Sequence, residues 1–254
     1  MFHVKHAEEN ATRLLDEYCS ELNAVAGFRV ESAEIAKLAR FAVLLSSYKD
    51  SNVVGTRDLE VILAQHVMDS LSCLQLPQFA RAERVVDIGS GAGLPGIPLA
   101  ICRAEAELAL IESTGKKVRF QRQAVQSLQL ENVLCVNGRV EEVARENAHR
   151  GSYQIAVSRA LGSLPVLAEY GLPLVEPGGL VVCMKGKVQQ EEMEAGKAAL
   201  RELGGELCSV ERLRRLGMQD ERQRSLVVLR KTRETPDIYP RKTGVPAKKP
   251  LGQA

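Results

Sequence analysis

The sequence predicts an α/β fold: a mostly parallel, doubly wound sheet with an N-terminal helical extension and a C-terminal antiparallel hairpin. Three observations carry this prediction. No strand-like run precedes residue 80, five short apolar runs then alternate with helical segments, and the last two runs are separated by only a short polar connection. Continuously apolar strands that alternate with helices are typical of a buried parallel sheet, whereas a short connection joins antiparallel neighbours.

Three helices account for the region before residue 80. In the first, over residues 7–26, apolar side chains recur at helical spacing. Ser32 is a candidate N-cap for the second, over 33–49. The third covers about 58–75. Together these segments form the expected helical layer.

Five apolar runs predict the parallel strands, and two more predict the hairpin. The parallel strands are expected over 83–88, 107–112, 132–138, 153–160 and 178–186. The helices between them are expected over 96–103, 116–130, 162–174 and 188–203, and the hairpin strands over 208–216 and 224–231. A dinucleotide dehydrogenase would normally continue with a sixth parallel strand and a separate substrate domain.

Composition excludes several classes of protein. The chain has 254 residues, of which 45% are hydrophobic and 26% charged, as in an ordinary globular protein. No run approaches the roughly 20 apolar residues of a membrane span, and the first ten residues lack the apolar core of a signal peptide, so we expect a cytoplasmic protein. None of the six cysteines lies in a CxxC pair, which argues against a metal site or a disulfide framework.

Charge is unevenly distributed along the chain. The formal net charge is +2, yet residues 230–254 contain seven basic and two acidic side chains. A basic tail on a mildly acidic body indicates a polyanionic partner. A solvated, disordered tail is the alternative explanation.

Four glycines lie within the ten residues DIGSGAGLPG, directly after the first predicted strand. From Gly91 the stretch fits GxGxxG, the dinucleotide pattern, and from Asp87 it fits DxGxGxG. A carboxylate beside a helix N-terminus disfavours a pyrophosphate but attracts the ammonium group of a methionine moiety. Gly89, Gly91 and Gly93 let the backbone lie against a ligand. The residues favour S-adenosylmethionine over NAD, with a purely structural turn as the remaining alternative.

Three further residues fit a bound nucleoside. Glu112 ends the second strand, where a carboxylate can accept both hydroxyls of a ribose, although NAD and S-adenosylmethionine share that ribose. Val140 and Glu141 follow the third strand and are placed to flank and hydrogen-bond an adenine edge. A surface acid at a strand end and an acid-rich helix start are the alternative explanations.

Six stretches of the chain occur together in one known family. They are NVVGTRDLEVILAQHVMDSL (52–71), DIGSGAGLPGIPLAI (87–101), IESTGKKVRFQRQ (111–123), SRALGSL (158–164), RSLVVLRK (224–231) and YPRKTGVPAKKPL (239–251). Over nearly its whole length the chain resembles the bacterial ribosomal RNA small subunit methyltransferase G family, also called glucose-inhibited division protein B. The resemblance implies a Rossmann-like class I methyltransferase fold, S-adenosylmethionine as cofactor, and formation of 7-methylguanosine at position 527 of 16S small-subunit rRNA.

The same resemblance implies cofactor contacts at matching positions of this sequence. They follow the first four strands: Gly89 and Leu94, then Glu112, Ser113 and Thr114, then Val140 and Glu141, and finally Arg159. Two departures from the family pattern stand out. Members often carry Asp where Glu112 stands, and the stretch NVVGTRD is looser than the usual Asn-Leu-Thr-Ala.

The implied reaction needs no proton acceptor, because guanine N7 is a lone pair with no proton to lose. Catalysis is then expected to consist of positioning, and Arg159 is the residue expected to orient cofactor and base. No other catalytic residue is assigned, and no carboxylate is assigned to stabilise the cationic product. His66 and Asp69 share a helix face and either shape the rim of the cleft or form a structural pair.

Basic side chains cluster in three places and are the predicted contacts to rRNA phosphates, which position RNA without reading its sequence. They are Lys116, Lys117, Arg119 and Arg122 on one helix, Lys185 and Lys187 after the fifth strand, and Arg241, Lys242, Lys248 and Lys249 in the tail. Solvated surface charge is the alternative for each of them.

We expect a helical extension over residues 1–80, an S-adenosylmethionine-binding domain over 81–235 and a basic tail over 236–254. The expected partner is 16S rRNA, within the small ribosomal subunit or an assembly intermediate, and the protein is expected to be a monomer. Two other functions stay open. One is an NAD-dependent oxidoreductase that uses the same glycine loop, and the other is a non-catalytic RNA-binding module with a vestigial nucleotide site.

Overall fold

A helical layer forms the N-terminal part of the protein. The structure is a computed structural model, and it describes residues 2–26, 29–48, 53–212 and 224–252. Its two long helices are α1 (Phe2–Ala26) and α2 (Ser32–Ser47). A capping box between Glu31 and Glu34 begins α2, so the N-cap is Glu31 and not the predicted Ser32. No helix within the described ranges is long and apolar enough to cross a membrane.

The third predicted helix is broken into short pieces. Helix α3 (Leu59–Ile62) passes into a π-helical turn (Leu63–Met68), which is followed by α4 (Asp69–Leu71) and by 3-10 turns at Ser72–Gln75 and Pro77–Ala80. Asp58 begins the segment, because its carboxylate accepts hydrogen bonds from the N–H groups of Glu60 and Val61. An apolar pattern near the helical period does not separate a π turn from an α-helix, so the break could not be predicted.

Seven strands of the described residues form one mixed sheet. They are β1 (Arg84–Ile88), β2 (Glu107–Glu112), β3 (Val133–Asn137), β4 (Tyr153–Arg159), β5 (Val175–Lys185), β6 (Gly205–Arg212) and β7 (Ser225–Lys231). Their order is β3-β2-β1-β4-β5-β7-β6, and the first five are parallel. Strand β7 is antiparallel to both β5 and β6. The predicted parallel sheet with a terminal hairpin is therefore confirmed.

Helices cover both faces of this sheet. They are α5 (Gly96–Cys102), α6 (Gly115–Leu128), α7 (Val140–Val143), α8 (Leu164–Gly171), α9 (Gln190–Leu203) and α10 (Val245–Lys248). Successive residues of a strand point to opposite faces. Val85 accordingly joins a core with α1, α2, α5 and α6, while its neighbour Val86 joins a second core with α7, α8 and α9. The N-terminal helices share the first core with the sheet, and the division of the chain at residues 80 and 235 stays a prediction.

Two strands begin earlier than predicted. Strand β5 starts at Val175 rather than at 178, because the pair Gly178 and Gly179 lies inside the strand, where its pairing with β4 shifts register. Strand β6 starts at Gly205 rather than at 208. Residues 213–216, which were predicted to extend this strand, lie outside the described residues.

The C-terminal segment is ordered against the protein, which argues against the alternative of a solvated, disordered tail. Residues 235–249, here called the C-terminal strap, are held by side chains of the main fold. Arg150 Nη1 donates to the backbone oxygen of Tyr239 at 2.9 Å. Arg241 Nη2 in turn lies 2.6 Å from Oε2 of Glu169, a fully buried carboxylate on α8. Hydrogen bonds to backbone groups and one buried ion pair therefore fasten the strap.

Candidate functional site

The glycine loop lies where the strand order of the sheet reverses. Strand β1 has β2 on one side and β4 on the other, and the helices that follow β1 and β4 pack on opposite faces. In open parallel sheets such a point forms a crevice at the carboxyl ends of the strands, where ligands bind. The fold thus brings Asp87, Glu112 and Arg159 to one edge, from the ends of three strands.

The backbone conformation of this loop requires glycine. Gly89, Gly91 and Gly93 have φ values of 67°, 57° and 84°, in the left-handed region that residues with a Cβ disfavour. A Cβ at Gly91 would meet only the Gly89 oxygen, at 3.9 Å, whereas a Cβ at Gly96 would lie 2.9 Å from the carboxylate of Asp87. The loop is therefore tightly packed at Gly96 and bare at Gly91, where a ligand can approach the backbone.

The carboxyl group of Asp87 is fully buried at the end of β1. Its Oδ2 accepts the N–H of Gly96 at 2.8 Å, while its Oδ1 has no hydrogen-bond partner among the described residues. Burial raises the pKa of Asp87 to about 7, and the Gly96 hydrogen bond and the charge of Arg159 oppose that rise. A buried acceptor without a partner is costly, and it fits an ammonium group that a ligand would bring.

Glu112 ties the glycine loop to the end of β2. Its Oε2 accepts the N–H of Gly91 at 3.0 Å, and its Oε1 accepts the N–H of Thr114 at 2.7 Å. Each carboxylate oxygen keeps a second lone pair, so both contacts can persist while ribose hydroxyls bind. The ribose contact of Glu112 stays a prediction, to which the structure adds a bracing role between two loops.

Gln121 braces the same loop and was missed from the sequence. It is fully buried although it lies on the basic helix α6. Its Nε2 donates to Ser90 Oγ and to the backbone oxygen of Gly91, both at 2.8 Å. Its burial could have been inferred from its position on the apolar face of α6, three residues after Val118 and seven before Leu128.

The carboxylate of Glu141 is turned toward the C-terminal strap. Its Oε1 accepts the N–H of Gly244 at 2.8 Å and the hydroxyl of Tyr170 at 3.2 Å. The side chain is buried and so has a structural task that the sequence did not reveal. Contacts of Val140 and Glu141 to adenine stay predictions, as do those of Leu94 and Ser113.

Arg159 is held by the π-helical turn of the N-terminal layer and by the first residue of α4. Its Nη1 donates to Oδ2 of Asp69 at 3.2 Å and to the backbone oxygen of Gln65 at 3.4 Å. Its Nη2 lies 3.3 Å from Nδ1 of His66. Burial, followed by the charge of Arg159, lowers the pKa of His66 to about 4, so the ring is neutral near pH 7 and Nδ1 accepts from the guanidinium. His66 and Asp69 therefore act together on Arg159.

A cavity of about 400 Å³ opens beside Arg159. We call it the strand-edge cleft, and its walls include Gln65, His66, Asp69, Arg159, Met184 and Arg224. Binding sites for small molecules have volumes of about 300–1,000 Å³, so the cleft has room for a ligand of that class. The place of Arg224 in this cleft could not be predicted from the sequence, because it depends on how the terminal hairpin joins the sheet.

The predicted RNA contacts divide into paired and exposed side chains. Lys185 Nζ lies 2.6 Å from Oε1 of Glu192, and Arg241 is paired with Glu169. The remaining side chains are at least partly exposed: Lys116, Lys117, Arg119, Arg122, Lys187, Lys242, Lys248 and Lys249. Contact with RNA stays a prediction for both groups, and the exposed side chains are the more available to a phosphate backbone.

Comparison with known sequences identifies relatives of this chain. A family model described as GidB, rRNA small subunit methyltransferase G, matches residues 34–226. The protein named Ribosomal RNA small subunit methyltransferase G from Rubrobacter xylanophilus is 48% identical over 252 residues, which are 98% of this chain and 94% of that protein. The protein of the same name from Deinococcus deserti is 42% identical over 218 residues, 84% of this chain and 88% of that protein.

Comparison with solved structures supports the fold. A protein from Klebsiella pneumoniae that is assigned as an O-methyltransferase superposes with a TM-score of 0.50. The match covers 78% of this chain and 90% of that chain at 11% identity. At that identity the likeness concerns the fold alone, which is the Rossmann-like arrangement of class I methyltransferases.

Proposed function

The chain belongs to the rRNA small subunit methyltransferase G family, and from this we propose that it methylates N7 of a guanine in 16S rRNA with S-adenosylmethionine as the methyl donor. Membership of this family makes the protein a small-subunit rRNA methyltransferase. The guanine that we propose is the one at position 527 in conventional rRNA numbering. One observation carries the choice of donor, namely the buried Oδ1 of Asp87 beside the glycine loop, for which the described part of the chain offers no hydrogen-bond partner.

The charge of Asp87 separates the two cofactors that share this kind of loop. The pyrophosphate of NAD would bring negative charge close to a buried carboxyl group, whereas the methionine part of S-adenosylmethionine carries an ammonium group that can donate to Oδ1. Glu112 retains lone pairs for the ribose hydroxyls. The bare backbone at Gly91 leaves space for close approach of the ligand. These features support the methyl donor over NAD, and hence a transferase over an oxidoreductase.

The proposed chemistry asks the protein to position its reactants. S-adenosylmethionine supplies a methyl group on a positively charged sulfur. Because N7 has no proton to lose, no general base is needed, and the rate depends on holding N7 in line with that methyl group at about 3–3.5 Å. Arg159 is suited to this task, since it is close enough to Asp87 to lower its pKa and also lines the strand-edge cleft.

The target guanine has to leave its stack to reach a cleft of this kind, at a cost of a few kcal/mol. Folded rRNA that already presents the base therefore suits the site better than a free oligonucleotide. We propose that the substrate is the small ribosomal subunit or an assembly intermediate, which places the reaction in the cytoplasm, and that one copy of the protein acts as a monomer.

Mapping of 7-methylguanosine tests the proposal. Small subunits from cells that lack this protein are incubated with the purified chain and methyl-labelled S-adenosylmethionine, and the modified base is located by chemical cleavage and primer extension. A single new modification at guanine 527 is expected. A modification elsewhere in the rRNA would overturn the proposed position, and binding of NAD in place of S-adenosylmethionine would overturn the proposed donor.

A further inference from the structure

Arg224 reaches the functional edge of the sheet because strand β7 is antiparallel. In the ladder between β5 and β7, Ser225 at the start of β7 pairs with Lys185 at the end of β5. The residue that precedes β7 therefore lies at the edge where the parallel strands end. Arg224 accordingly lines the strand-edge cleft together with Arg159, which ends β4.

One carboxylate holds both of these arginines. Oδ2 of Asp69 lies 3.2 Å from Nη1 of Arg159, and Oδ1 lies 3.3 Å from Nε of Arg224. The side chain of Asp69 is 11% exposed, whereas that of Arg224 is 36% exposed. Arg224 is thus fixed through Nε, and no contact found among the described residues occupies its two Nη groups. As far as the described residues go, these two Nη groups remain as donors in a rigid fork, in the geometry that a phosphate accepts.

The charges around the cleft favour an anion. Its cations are Arg159, Arg224 and Lys185, of which Lys185 is paired with Glu192. Asp69 is shared between the two arginines, so one positive charge remains uncompensated among the described residues that line the cleft. A guanine base is neutral, and a donor placed on N7 would occupy the lone pair that must react. The phosphate of the same nucleotide carries negative charge and leaves N7 available.

We propose that Arg224, which Asp69 holds beside Arg159, binds a backbone phosphate at the target nucleotide. This inference rests on the proposed function, because it assigns the RNA side of the same site. Arg224 sets where the nucleotide enters the cleft, and Arg159 sets how its base meets the cofactor. Removing the first should therefore weaken RNA binding, while removing the second should slow the chemistry.

Steady-state kinetics on small subunits, with two variants and one matched control, test this assignment. In Arg224→Ala the KM for the subunit should rise about tenfold, while kcat and the affinity for S-adenosylmethionine stay within twofold of the wild type. Arg224→Lys should recover part of the loss, because it keeps the charge without the fork. The control is Arg230→Ala, near the far end of β7 at the opposite edge of the sheet, where residue 230 pairs with Leu180 and is exposed.

The salt dependence of RNA binding distinguishes a phosphate contact from other roles. Each phosphate contact adds about 0.7–0.9 to the slope of log K against log salt concentration, so the slope for Arg224→Ala should be shallower by that amount. An unchanged slope with an unchanged KM would overturn the inference, and an unchanged slope with a reduced kcat would assign Arg224 to the base instead. Wild-type protein that methylates no rRNA would instead overturn the proposed function, so the two failures are distinct.

Discussion

Oδ2 of Asp69 lies 3.2 Å from Nη1 of Arg159, although 90 positions separate the two residues in the chain. The acid comes from the N-terminal helical layer, and the arginine ends a central strand of the sheet. The helical layer therefore does more than cover the sheet, because it fixes the orientation of a cation beside the glycine loop.

Arg159→Ala is expected to reduce methyl transfer by about 100-fold, since small losses of alignment in a positioning site have effects of that size. The unfolding temperature should change little, because Asp69 keeps its contact with Arg224. Single-turnover rates and thermal unfolding measure the two effects. Arg159→Lys retains charge but cannot reach all three acceptors, so it should stay slow. Normal turnover in the alanine variant would remove Arg159 from the site.

Asp87→Asn is expected to weaken binding of S-adenosylmethionine about tenfold or more, because the carboxylate charge that would face the ammonium group is lost. In the wild type the affinity should fall as the pH drops below about 7, where Asp87 becomes protonated. The variant should show no such fall. Calorimetric titrations between pH 5.5 and 8.5 measure both, and a wild-type affinity that is flat across this range would contradict the raised pKa of Asp87.

The same variant should change the pH dependence of stability. The folded-state pKa of Asp87 is raised to about 7, so the folded protein favours the protonated form of this residue. The resulting contribution to the free energy of unfolding is fully present below the ordinary aspartate pKa of about 4. It is lost as the pH rises through about 7. Asp87→Asn should therefore gain unfolding temperature relative to the wild type at pH 8, and the gain should shrink toward pH 4. A loss of stability at pH 8 would contradict this expectation.

Gly91→Ala and Gly151→Ala form a matched pair of variants. Both glycines have left-handed φ values, 57° and 61°, and a Cβ would meet little or nothing at either position. Each substitution should cost about 1–2 kcal/mol of stability, but only Gly91→Ala should weaken cofactor binding. Gly151 precedes β4 and lies at the other edge of the sheet. Equal affinities in the two variants would exclude close approach of the cofactor at Gly91.

Arg241→Ala is expected to destabilise the protein by about 3 kcal/mol, because it leaves the buried carboxylate of Glu169 without its charged partner. The unfolding temperature, measured by thermal unfolding, should fall by several degrees. The double variant Arg241→Ala/Glu169→Gln should lose less, since no buried charge is left behind. An unchanged unfolding temperature in the single variant would contradict a stabilising role of the pair between Arg241 and Glu169.

The sheet and the glycine loop could be predicted because their signals are local. Val85 and Val86 are both apolar since helices cover both faces of β1, and Asp87 and Gly91 lie within one short stretch whose spacing indicates its ligand. Helix ends were less predictable. Glu31 caps α2 where Ser32 has the better intrinsic preference, because the reciprocal contact with Glu34 outweighs it.

The side chains that complete the site could not be predicted, because their contacts join distant parts of the chain. Glu141 and Gly244 are 103 positions apart, and Arg224 enters the cleft only because β7 runs antiparallel to β5. The π-helical turn left no mark in the apolar pattern, yet it presents the Gln65 oxygen to Arg159. Packing decides these contacts, and spacing along the chain does not encode them.

The contacts of the C-terminal strap join residues that are translated at different times. All the described strands are translated before Arg241 and Gly244, so Glu169 and Glu141 gain these partners only after the residues of the sheet have been made. The contacts that hold α7 and α8 to the C-terminal strap therefore depend on residues that follow every described strand. A chain that ended before residue 241 would leave both carboxylates without these contacts.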